Sequence, residues 1–419
     1  MVHNETHLPD GFRVTELGPL PEAWRVVRLG EVARVRYGKA KPRTNGTVPV
    51  VGSGGIYAWT ARPLVNFPTL IIGRKGTAGQ VWLAEGPCWP SDTTFYLEWK
   101  RLVDVRFLHG YFSLNPLSGE HAKTTLPSLQ RPDLEKYPIP LPPLPEQRAI
   151  AHVLRTVQRA KEATERVIAA LRELKKSLMR HLFTYGPVPV DAADQVALQD
   201  TPIGPIPAHW SVVRLGEVAN IGNGATPRRT NPSYWDNGTI PWLTSAKVHE
   251  VIIRQADEYV TERALRECHL PLVPKGSIVV AITGQGKTLG NAALVTFDTT
   301  INQHLAYATI RREDIVPEFV LGYLRYRYQD LRRTSRAGGS TKGALTCGFL
   351  KRYFLPLPPL DEQREIARIL QALDRKIEAE ENRKRALEAL FKSLLQHLMT
   401  ARVRVKNLEA HTSEGESRL

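Results

Sequence analysis

Two long stretches of the chain carry apolar residues at heptad spacing with no glycine or proline. Each follows a proline-rich approach that cannot be helical, so we predict sharp helix starts at Pro145 and Asp361. A helix of about 40 residues is about 60 Å long at about 1.5 Å per residue, too long to lie along one small domain. We therefore predict coiled-coil helices over residues 146–185 and 361–403 that pair with each other and hold the globular parts apart.

The apolar residues at heptad positions define the predicted seam of each helix. In the first helix they are Ile150, Val153, Val157, Ala160, Val167, Leu171, Leu174 and Leu178. In the second helix they are Ile366, Leu370, Leu373, Ile377, Leu387, Phe391, Leu394 and Leu398. Thr164 and Glu380 interrupt the seams midway. We interpret both as lying on a solvated side, with a role in setting the register as the alternative.

The chain is also a long internal duplication. Residues 18–33 return as residues 204–219 at an offset of 186, and residues 140–151 return as residues 356–367 at an offset of 216. The difference between the offsets places 30 additional residues in the second copy. Repeats of this length decide the architecture, so the chain contains two related domains.

The centres of the two copies differ. A spacing of 13 joins Gly79 to Asp92 in one copy and Gly290 to Gln303 in the other, but few side chains agree. Two copies of a purely structural module have no reason to diverge only in their centres, whereas two copies that read different targets do. Ordinary drift of surface loops after duplication is the alternative.

Strand-like runs such as Ile278–Ile282 alternate with helical stretches such as Val320–Arg333 and with glycine-rich turns, which predicts compact α/β domains. We expect the tails before Leu17 and after Arg404 to be loosely ordered. The predicted boundaries are a first domain over 1–145, a helix over 146–185, a linker over 186–209, a second domain over 210–360, a helix over 361–403 and a tail over 404–419.

The distribution of net charge along the chain narrows the set of possible functions. Lys and Arg number 57 and Asp and Glu number 42, a formal net charge of +15. Residues 24–145 carry a net charge of +8 and residues 210–360 a net charge of +7, so the remaining residues together carry no net charge. Positive charge concentrated in two divergent copies is the electrostatic footprint of nucleic-acid binding. An arginine-rich composition inherited from the genome is the alternative.

Basic and amide residues in turn-rich segments are the candidates for DNA contact, because Arg, Asn and Gln can bind base edges while Lys, Ser and Thr mainly contact phosphate. In the first domain they are Arg36, Lys39, Lys41, Arg43, Arg74, Lys75 and Lys123. In the second domain they are Asn223, Thr226, Arg228, Arg229, Tyr234, Lys287, Gln303 and Lys342.

Motifs for catalysis are weak. Residues 281–288 match a relaxed phosphate-binding loop, but the segment that follows contains Gly290 and is strand-like, so we interpret the match as chance. The histidines show no metal-ligand spacing, and the methyltransferase and nuclease motifs are missing. We predict a binding protein with no catalytic site, cofactor site or metal site.

Three cysteines, Cys88, Cys268 and Cys347, lie far apart, which predicts neither a disulfide framework nor a zinc site. The N-terminus lacks the features of a signal peptide, and apolar runs are far below membrane-spanning length. We expect the protein in the cytoplasm, without a membrane partner.

Three motifs together resemble a known family. Leu-Pro-Pro-Leu-x-Glu-Gln-Arg-x-Ile-Ala occurs at Leu141 and again at Leu357, and Trp-x-Val-Val-Arg-Leu-Gly-Glu-Val-Ala occurs at Trp24 and again at Trp210. A Thr-Pro to Ile-Pro-Trp run spans residues 226–242, which the first copy lacks. Over roughly residues 18–400 the chain resembles the DNA specificity subunit of a Type I restriction-modification enzyme.

The resemblance implies an α/β fold with two pseudo-repeated target recognition domains, separated by two long antiparallel coiled-coil helices. Each domain would read one half of a bipartite site on double-stranded DNA. Two modification subunits would bind S-adenosylmethionine and methylate adenine, and restriction subunits would use ATP and magnesium for translocation and cleavage. The alternatives are a stand-alone duplicated DNA-binding regulator without enzyme partners and a nucleotide hydrolase that uses Lys287.

Overall fold

The computed structural model describes residue 8 and residues 10–117, 128–284, 287–336 and 344–405. The chain divides into two units, each of which combines one copy of the repeat with parts of both long helices. The first unit comprises residues 1–165 and 382–419, and the second comprises residues 166–381. The candidate residues Lys123 and Lys342 lie outside the described residues.

The first unit is built on short strands. They are β1 (Phe12–Thr15), β2 (Gly18–Pro21), β3 (Arg25–Arg28), β4 (Ala33–Tyr37), β5 (Val48–Gly52), β6 (Gly55–Thr60), β7 (Thr69–Gly73), β8 (Val81–Ala84), β9 (Trp89–Pro90), β10 (Thr94–Trp99) and β11 (Pro138–Leu141). The helices are α1 (Leu29–Val32), α2 (Val105–Leu114), α3 (Arg131–Glu135) and the long α4 (Leu144–Tyr185), which continues into the second unit. The sheets have the strand orders β4-β10-β7-β8, β6-β5-β9, β1-β2 and β11-β3.

The second unit repeats this plan. Its strands are β12 (Leu198–Thr201), β13 (Gly204–Pro207), β14 (Ser211–Arg214), β15 (Ala219–Asn223), β16 (Ile240–Leu243), β17 (Ile252–Ile253), β18 (Glu258–Val260), β19 (Ile278–Ala281), β20 (Ala292–Val295), β21 (Thr300–Ile301), β22 (Leu305–Ile310) and β23 (Phe354–Leu357). The helices are α5 (Leu215–Val218), α6 (Glu262–Glu267), α7 (Pro317–Tyr326), α8 (Tyr328–Arg336), α9 (Cys347–Arg352) and the long α10 (Leu360–Met399), which continues into the first unit. Short 3-10 turns occupy Val190–Gln195, Pro232–Tyr234 and Ser245–Glu250.

The two units share one topology although their central sequences differ. The order β4-β10-β7-β8 of the first unit returns as β15-β22-β19-β20 in the second, where β17 adds an edge strand. The order β6-β5-β9 returns as β18-β16-β21, and in both of these sheets the last pair is parallel. The strands β7 and β19 are buried throughout and mainly apolar, which fits their places inside the sheets. Divergence of the centres therefore leaves the fold unchanged.

In the first unit, the long helices run antiparallel and close the core. Glu165 of α4 pairs with Lys384 of α10 at 2.9 Å, whereas Glu146 at the start of α4 pairs with Arg404 beyond the end of α10. Gly110 allows α2 to pack closely against α10, because a Cβ there would lie 2.6 Å from Met399 Cε.

In the second unit, the other halves of the same helices also run antiparallel. Arg172 of α4 pairs with Glu381 of α10 at 2.6 Å, and further along α4 Lys175 pairs with Asp374. Gly322 of α7 occupies the place of Gly110, because a Cβ there would lie 2.8 Å from Leu370 of α10. The predicted pairing of the two helices is thus confirmed within each unit.

The predicted seam of the first long helix is correct at Ile150, which is buried, and wrong at two later positions. Val167 and Leu174 are 43% and 54% exposed, whereas Ile168 is buried. Thr164 and Glu380 are 3% and 7% exposed, so the prediction that they lie on a solvated side is wrong. The pattern misled because polar residues take seam positions near the middle of the helices, and a search for apolar residues alone passes over them.

The expected loose tail before Leu17 is wrong for β1, which forms a hairpin with β2. The predicted linker, residues 186–209, contains the matching hairpin of β12 and β13. In each hairpin a threonine hydroxyl, of Thr15 or Thr201, donates to a glycine carbonyl three residues later at 2.7 Å. Among the described residues, no helix combines the length and apolar character that crossing a membrane requires.

Candidate nucleic-acid interface

In both units a loop leaves the central sheet at a glycine that is pressed against a neighbouring turn. A Cβ on Gly38 would lie 2.0 Å from the carbonyl oxygen of Ser91, and one on Gly224 would lie 1.8 Å from that of Ile301. Only hydrogen fits at either position. The two loops therefore start at the same place in each unit.

Two further turns reach the same end of the sheet. The amide of Arg74 donates to the carbonyl of Thr93 at 2.8 Å in the first unit, and that of Ile282 donates to the carbonyl of His304 at 2.9 Å in the second. These equivalent hydrogen bonds place three segments side by side. We call them the strand-end cluster: residues 39–43, 74–79 and 91–93 in the first unit, and residues 225–229, 282–284 and 302–304 in the second.

The strand-end cluster of the second unit carries a chain of neutral polar contacts. The hydroxyl of Thr226 donates to Gln303 Oε1, and Gln303 Nε2 lies 3.3 Å from His304 Nε2. The other ring nitrogen of His304 contacts the hydroxyl of Thr283. The structure thus brings together two predicted residues, Thr226 and Gln303, and two that the sequence did not single out.

The same positions in the first unit carry charge. Arg74 takes the place of the buried Ile282, and its guanidinium donates to the carbonyl oxygen of Asp92 at 2.9 Å. The guanidinium carbon lies 5.4 Å from the ring centre of Tyr37 and 5.9 Å from that of Phe95. These contacts hold Arg74 in the cluster, whereas Lys75 beside it is exposed.

Arg36 lies apart, on the outer face of the sheet. It is opposite Tyr96 in the β4–β10 register, and its Nε donates to Glu98 at 2.7 Å. This hydrogen bond raises the pKa of Arg36 and lowers the pKa of Glu98. An open groove of about 470 Å³ surrounds the pair. It is lined by Arg36, Tyr37, Lys39, Phe67, Tyr96, Glu98 and Arg131.

The loop after Gly224 is held by two tryptophans. Trp235 and Trp242 meet edge to face at 5.2 Å, and the guanidinium of Arg229 lies 4.1 Å and 4.8 Å from their ring centres. Arg229 also pairs with Glu258. Arg229 therefore has structural partners on both sides.

Tyr234 is likewise engaged, because its hydroxyl donates to Glu267 at 2.9 Å, and this contact raises the pKa of the phenol. Asn223 ends β15, where its Oδ1 lies 4.0 Å from Cys347 Sγ. The remaining candidate cations are exposed, and the described part of the chain pairs none of them with a carboxylate. They are Lys39, Lys41, Arg43, Lys75, Arg228 and Lys287.

Sequence reasoning missed Thr283 and His304, but it contained one signal for them. Gly79 and Gly290, which each lie 13 residues before a turn residue of the cluster, have φ angles of 82° and 83°. The shared spacing therefore marked equivalent turns, one of which ends at Gln303 beside His304.

The match to a phosphate-binding loop has no structural support. Among the residues that the structure describes, the regular element that follows the end of β19 at Ala281 is the strand β20 rather than a helix, so they supply no helical N-terminus for phosphate. The backbone carbonyl of Lys287 accepts a hydrogen bond from Tyr328 at 2.7 Å. Within the described ranges no cluster of His, Cys, Asp and Glu could hold a metal ion.

Comparison with known proteins assigns the two copies to one family. The family model described as Type I restriction modification DNA specificity domain matches residues 21–173 and 207–389. The specificity subunit of the Type I restriction enzyme MjaVIII from Methanocaldococcus jannaschii is 26% identical, over 93% of this chain and 95% of that protein. The EcoR124I/EcoR124II specificity subunit from Escherichia coli is 25% identical, over 63% of this chain and 62% of its own length.

Solved structures share the fold. The S subunit of a Type I restriction-modification system from M. genitalium superposes with a TM-score of 0.63 at 18% identity, covering 90% of this chain and 96% of that one. A chain from a study of complex assembly and conformational transition of the type I R-M system gives a TM-score of 0.55 at 18% identity, covering 92% and 99%. With the family model matching both copies, the chain belongs to the Type I restriction modification DNA specificity family.

Proposed function

We propose that this chain is the specificity subunit of a Type I restriction-modification enzyme and that each unit reads one half of a bipartite site on double-stranded DNA. One observation carries the proposal: the two units repeat the same scaffold but present different polar groups at the same end of the sheet. Arg74, Lys75 and Asp92 in one unit stand where Ile282, Thr283 and Gln303 stand in the other. Different donors and acceptors at one place select different bases.

Charge supports contact with the DNA backbone. The exposed cations of the strand-end cluster flank the polar groups, and each phosphate that they neutralise releases counterions and adds affinity. Lys39 and Lys41 in the first unit and Arg228 in the second follow the glycines at which the loops begin. Phosphate contacts from the two lysines would position the first unit, whereas Arg228 would bind a guanine edge in the second, and the neighbouring polar groups would read other base edges.

We further propose that the chain acts as a scaffold without catalysis of its own, in the cytoplasm. Two modification subunits would supply S-adenosylmethionine and methylate adenine, and restriction subunits would supply the ATP- and magnesium-dependent steps. Membership of the family supports this division of labour. Co-purification tests it: a methyltransferase that stays with the chain in gel filtration is the expected result, whereas a stand-alone regulator would elute without one.

A domain exchange tests the bipartite reading. Residues 24–139 are replaced by the corresponding region of a relative, and methylated adenines are mapped in cells that carry the chimera and its methyltransferase. We expect one half-site to change and the other to stay, because each unit contacts its own stretch of groove. A change in both half-sites at once would contradict separate reading.

A further inference from the structure

We infer that Gln303 reads an adenine in the half-site contacted by the second unit and that Thr226 and His304 position its amide. The inference deepens the proposed function and depends on it. It rests on the polar contacts of the strand-end cluster, on the rigidity of the turn that carries Gln303, and on the hydrogen-bonding pattern of base edges.

The amide of Gln303 is held at both ends. Its Oε1 accepts from the Thr226 hydroxyl, while its Nε2 faces His304 Nε2 at 3.3 Å. The opposite nitrogen of that ring contacts the Thr283 hydroxyl, which fixes the orientation of the imidazole. A half-turn of the amide keeps both contacts, because a hydroxyl can donate or accept and a neutral imidazole has two tautomers. The contacts therefore set the position of the amide before DNA binds, and either orientation leaves one donor and one acceptor.

These contacts leave a complementary pair of groups for a ligand. An amide nitrogen has two hydrogens and an amide oxygen has two lone pairs, so one of each remains. Gln303 is exposed, so the remaining donor and acceptor can reach DNA. In the major groove adenine presents N7 as an acceptor beside the N6 amino group as a donor, which matches an amide in two hydrogen bonds. Guanine presents two acceptors, which suit arginine instead.

The turn under Gln303 is rigid. The amide of Asn302 donates to the carbonyl of Leu243 at 2.9 Å, and the side chain of Asn302, which is 5% exposed, accepts from the amide of His304 at 3.0 Å. The carbonyl of Ile301 is in close contact with Gly224. A base-reading side chain on such a turn loses little conformational freedom when it binds.

The first unit lacks this arrangement and supplies a matched control. Asp92 occupies the position of Gln303, Ala40 that of Thr226, and Lys75 that of Thr283. A carboxylate only accepts hydrogen bonds, so Asp92 cannot donate to adenine N7 and cannot make the two-bond match. Any adenine preference that depends on Gln303 must therefore appear in one half-site alone.

The experiment selects bound sequences from a random duplex library with the full-length chain. We expect the wild type to retain a bipartite motif with an adenine in one half. Gln303→Ala and Gln303→Glu should reduce the preference for that adenine by about 5- to 150-fold and leave all other positions unchanged. Thr226→Val should weaken the same preference, whereas Thr226→Ser, which keeps the hydroxyl, should retain it. Asp92→Ala should affect only the other half-site.

The outcomes separate two failures. A wild-type chain that retains no bipartite motif contradicts the proposed function itself. A bipartite motif whose adenine preference survives Gln303→Ala overturns the role of Gln303 alone. Equal weakening on every sequence would instead make Gln303 a phosphate contact and would also overturn it.

Discussion

The two units differ in the side chains at the ends of their central strands, whereas the buried residues of their cores are similar. In the core, Trp24 and Trp210 are 0% and 2% exposed, and both open equivalent segments of the repeat. At the strand-end cluster, by contrast, the first unit presents Arg74 and Lys75 while the second presents a neutral chain through Gln303. Backbone contacts around Gly38 and Gly224, where the loops leave the central sheets, hold the strand ends in equivalent positions in the two units. A scaffold fixed by buried contacts thus tolerates replacement of the side chains that reach solvent.

The sheet faces show the same contrast. In the first unit Arg36 lies opposite Tyr96 and binds Glu98. In the second unit Gly222 takes the place of Arg36, and a Cβ there would lie 2.7 Å from the hydroxyl of Tyr307. The tyrosine remains at one register position in both units, while its neighbour changes from an arginine to a residue with no side chain. The charged groove is therefore a property of the first unit.

The largest expected effect concerns the carboxylate at the start of each long helix. Glu146 is 8% exposed, accepts a hydrogen bond from Trp24 Nε1 at 3.0 Å and accepts two from Arg404, from Nε at 2.6 Å and from Nη2 at 2.9 Å. Glu146→Gln removes the charge that Arg404 requires, and we expect the first unit to lose about 3 kcal/mol of unfolding free energy. Hydrogen exchange resolved by unit measures the loss.

The equivalent carboxylate of the second unit is the control. Glu362 accepts from Trp210 Nε1 at 2.9 Å and from His209 at 2.7 Å, but its side chain is 25% exposed. Glu362→Gln should cost about 1 kcal/mol, because water compensates for the lost contact. Equal losses in the two units would contradict the role given to Arg404.

Substitution of the glycines at which the two loops begin should destabilise both units similarly, which tests the shared scaffold. Gly38→Ala and Gly224→Ala both force a Cβ into a carbonyl oxygen, and each should destabilise its own unit by about 1–3 kcal/mol. Thermal unfolding and unit-resolved hydrogen exchange measure the two losses. Tolerance of one substitution and not of the other would show that the loops do not start from equivalent positions.

In the second unit, two neighbouring arginines are expected to differ in role: Arg228 binds DNA and Arg229 stabilises the fold. Arg228→Ala should weaken binding by about 1–3 kcal/mol at one base pair if its exposed guanidinium binds guanine. Arg229→Ala should instead lower the stability of the second unit by about 1–2 kcal/mol, because it loses the two tryptophan faces. Competition binding with single-base variants and urea unfolding distinguish the two. A uniform loss for Arg228→Ala would reassign it to phosphate.

In the first unit, Lys41 tests contact with phosphate. Lys41→Ala should weaken binding on every sequence and reduce the slope of log affinity against log salt by about 1. Titrations of a matched duplex across a series of salt concentrations measure the slope. An unchanged slope would remove Lys41 from the interface.

The smallest expected effect is the pH dependence of the exposed pair in the first unit. The hydrogen bond from Arg36 lowers the pKa of Glu98, so the stability that Glu98 contributes is present above its ordinary pKa and is lost as pH falls through the lowered value. The small stability difference between wild type and Arg36→Gln should therefore shrink on acidification. Unfolding curves at several pH values measure it. The second unit, with Gly222 and Thr309 at these positions, should show no such difference.

Much of the architecture could be predicted from local pattern. The doubled anchors identified the duplication, the absence of glycine and proline identified α4 and α10, and the apolar runs identified β7 and β19. These features depend on residues close together in the chain, where spacing and propensity act directly. The resemblance to a known family came from the same anchors, and the comparisons confirm it.

The polar residues in the seam and the pairing of strands in the two centres could not be predicted. Thr164 and Glu380 are buried in the seam. The ion pairs between the two long helices join residues 209 and 199 positions apart in sequence, so the covered face depends on a distant segment. The parallel pairing of β5 with β9 and of β16 with β21 likewise joins distant segments that share no sequence signal.

At the candidate interface the sequence by itself determined which residue types are present, and the tertiary structure decided what each can do. Arg229 and Arg228 are adjacent and chemically identical, yet Arg229 contacts two tryptophan rings and Glu258, whereas Arg228 is exposed and pairs with no carboxylate among the described residues. Gln303 and Thr226 lie 77 positions apart, and they meet where Gly224 packs closely against Ile301. The function of a polar side chain depends on its partners, and in this protein those partners come from other strands and loops.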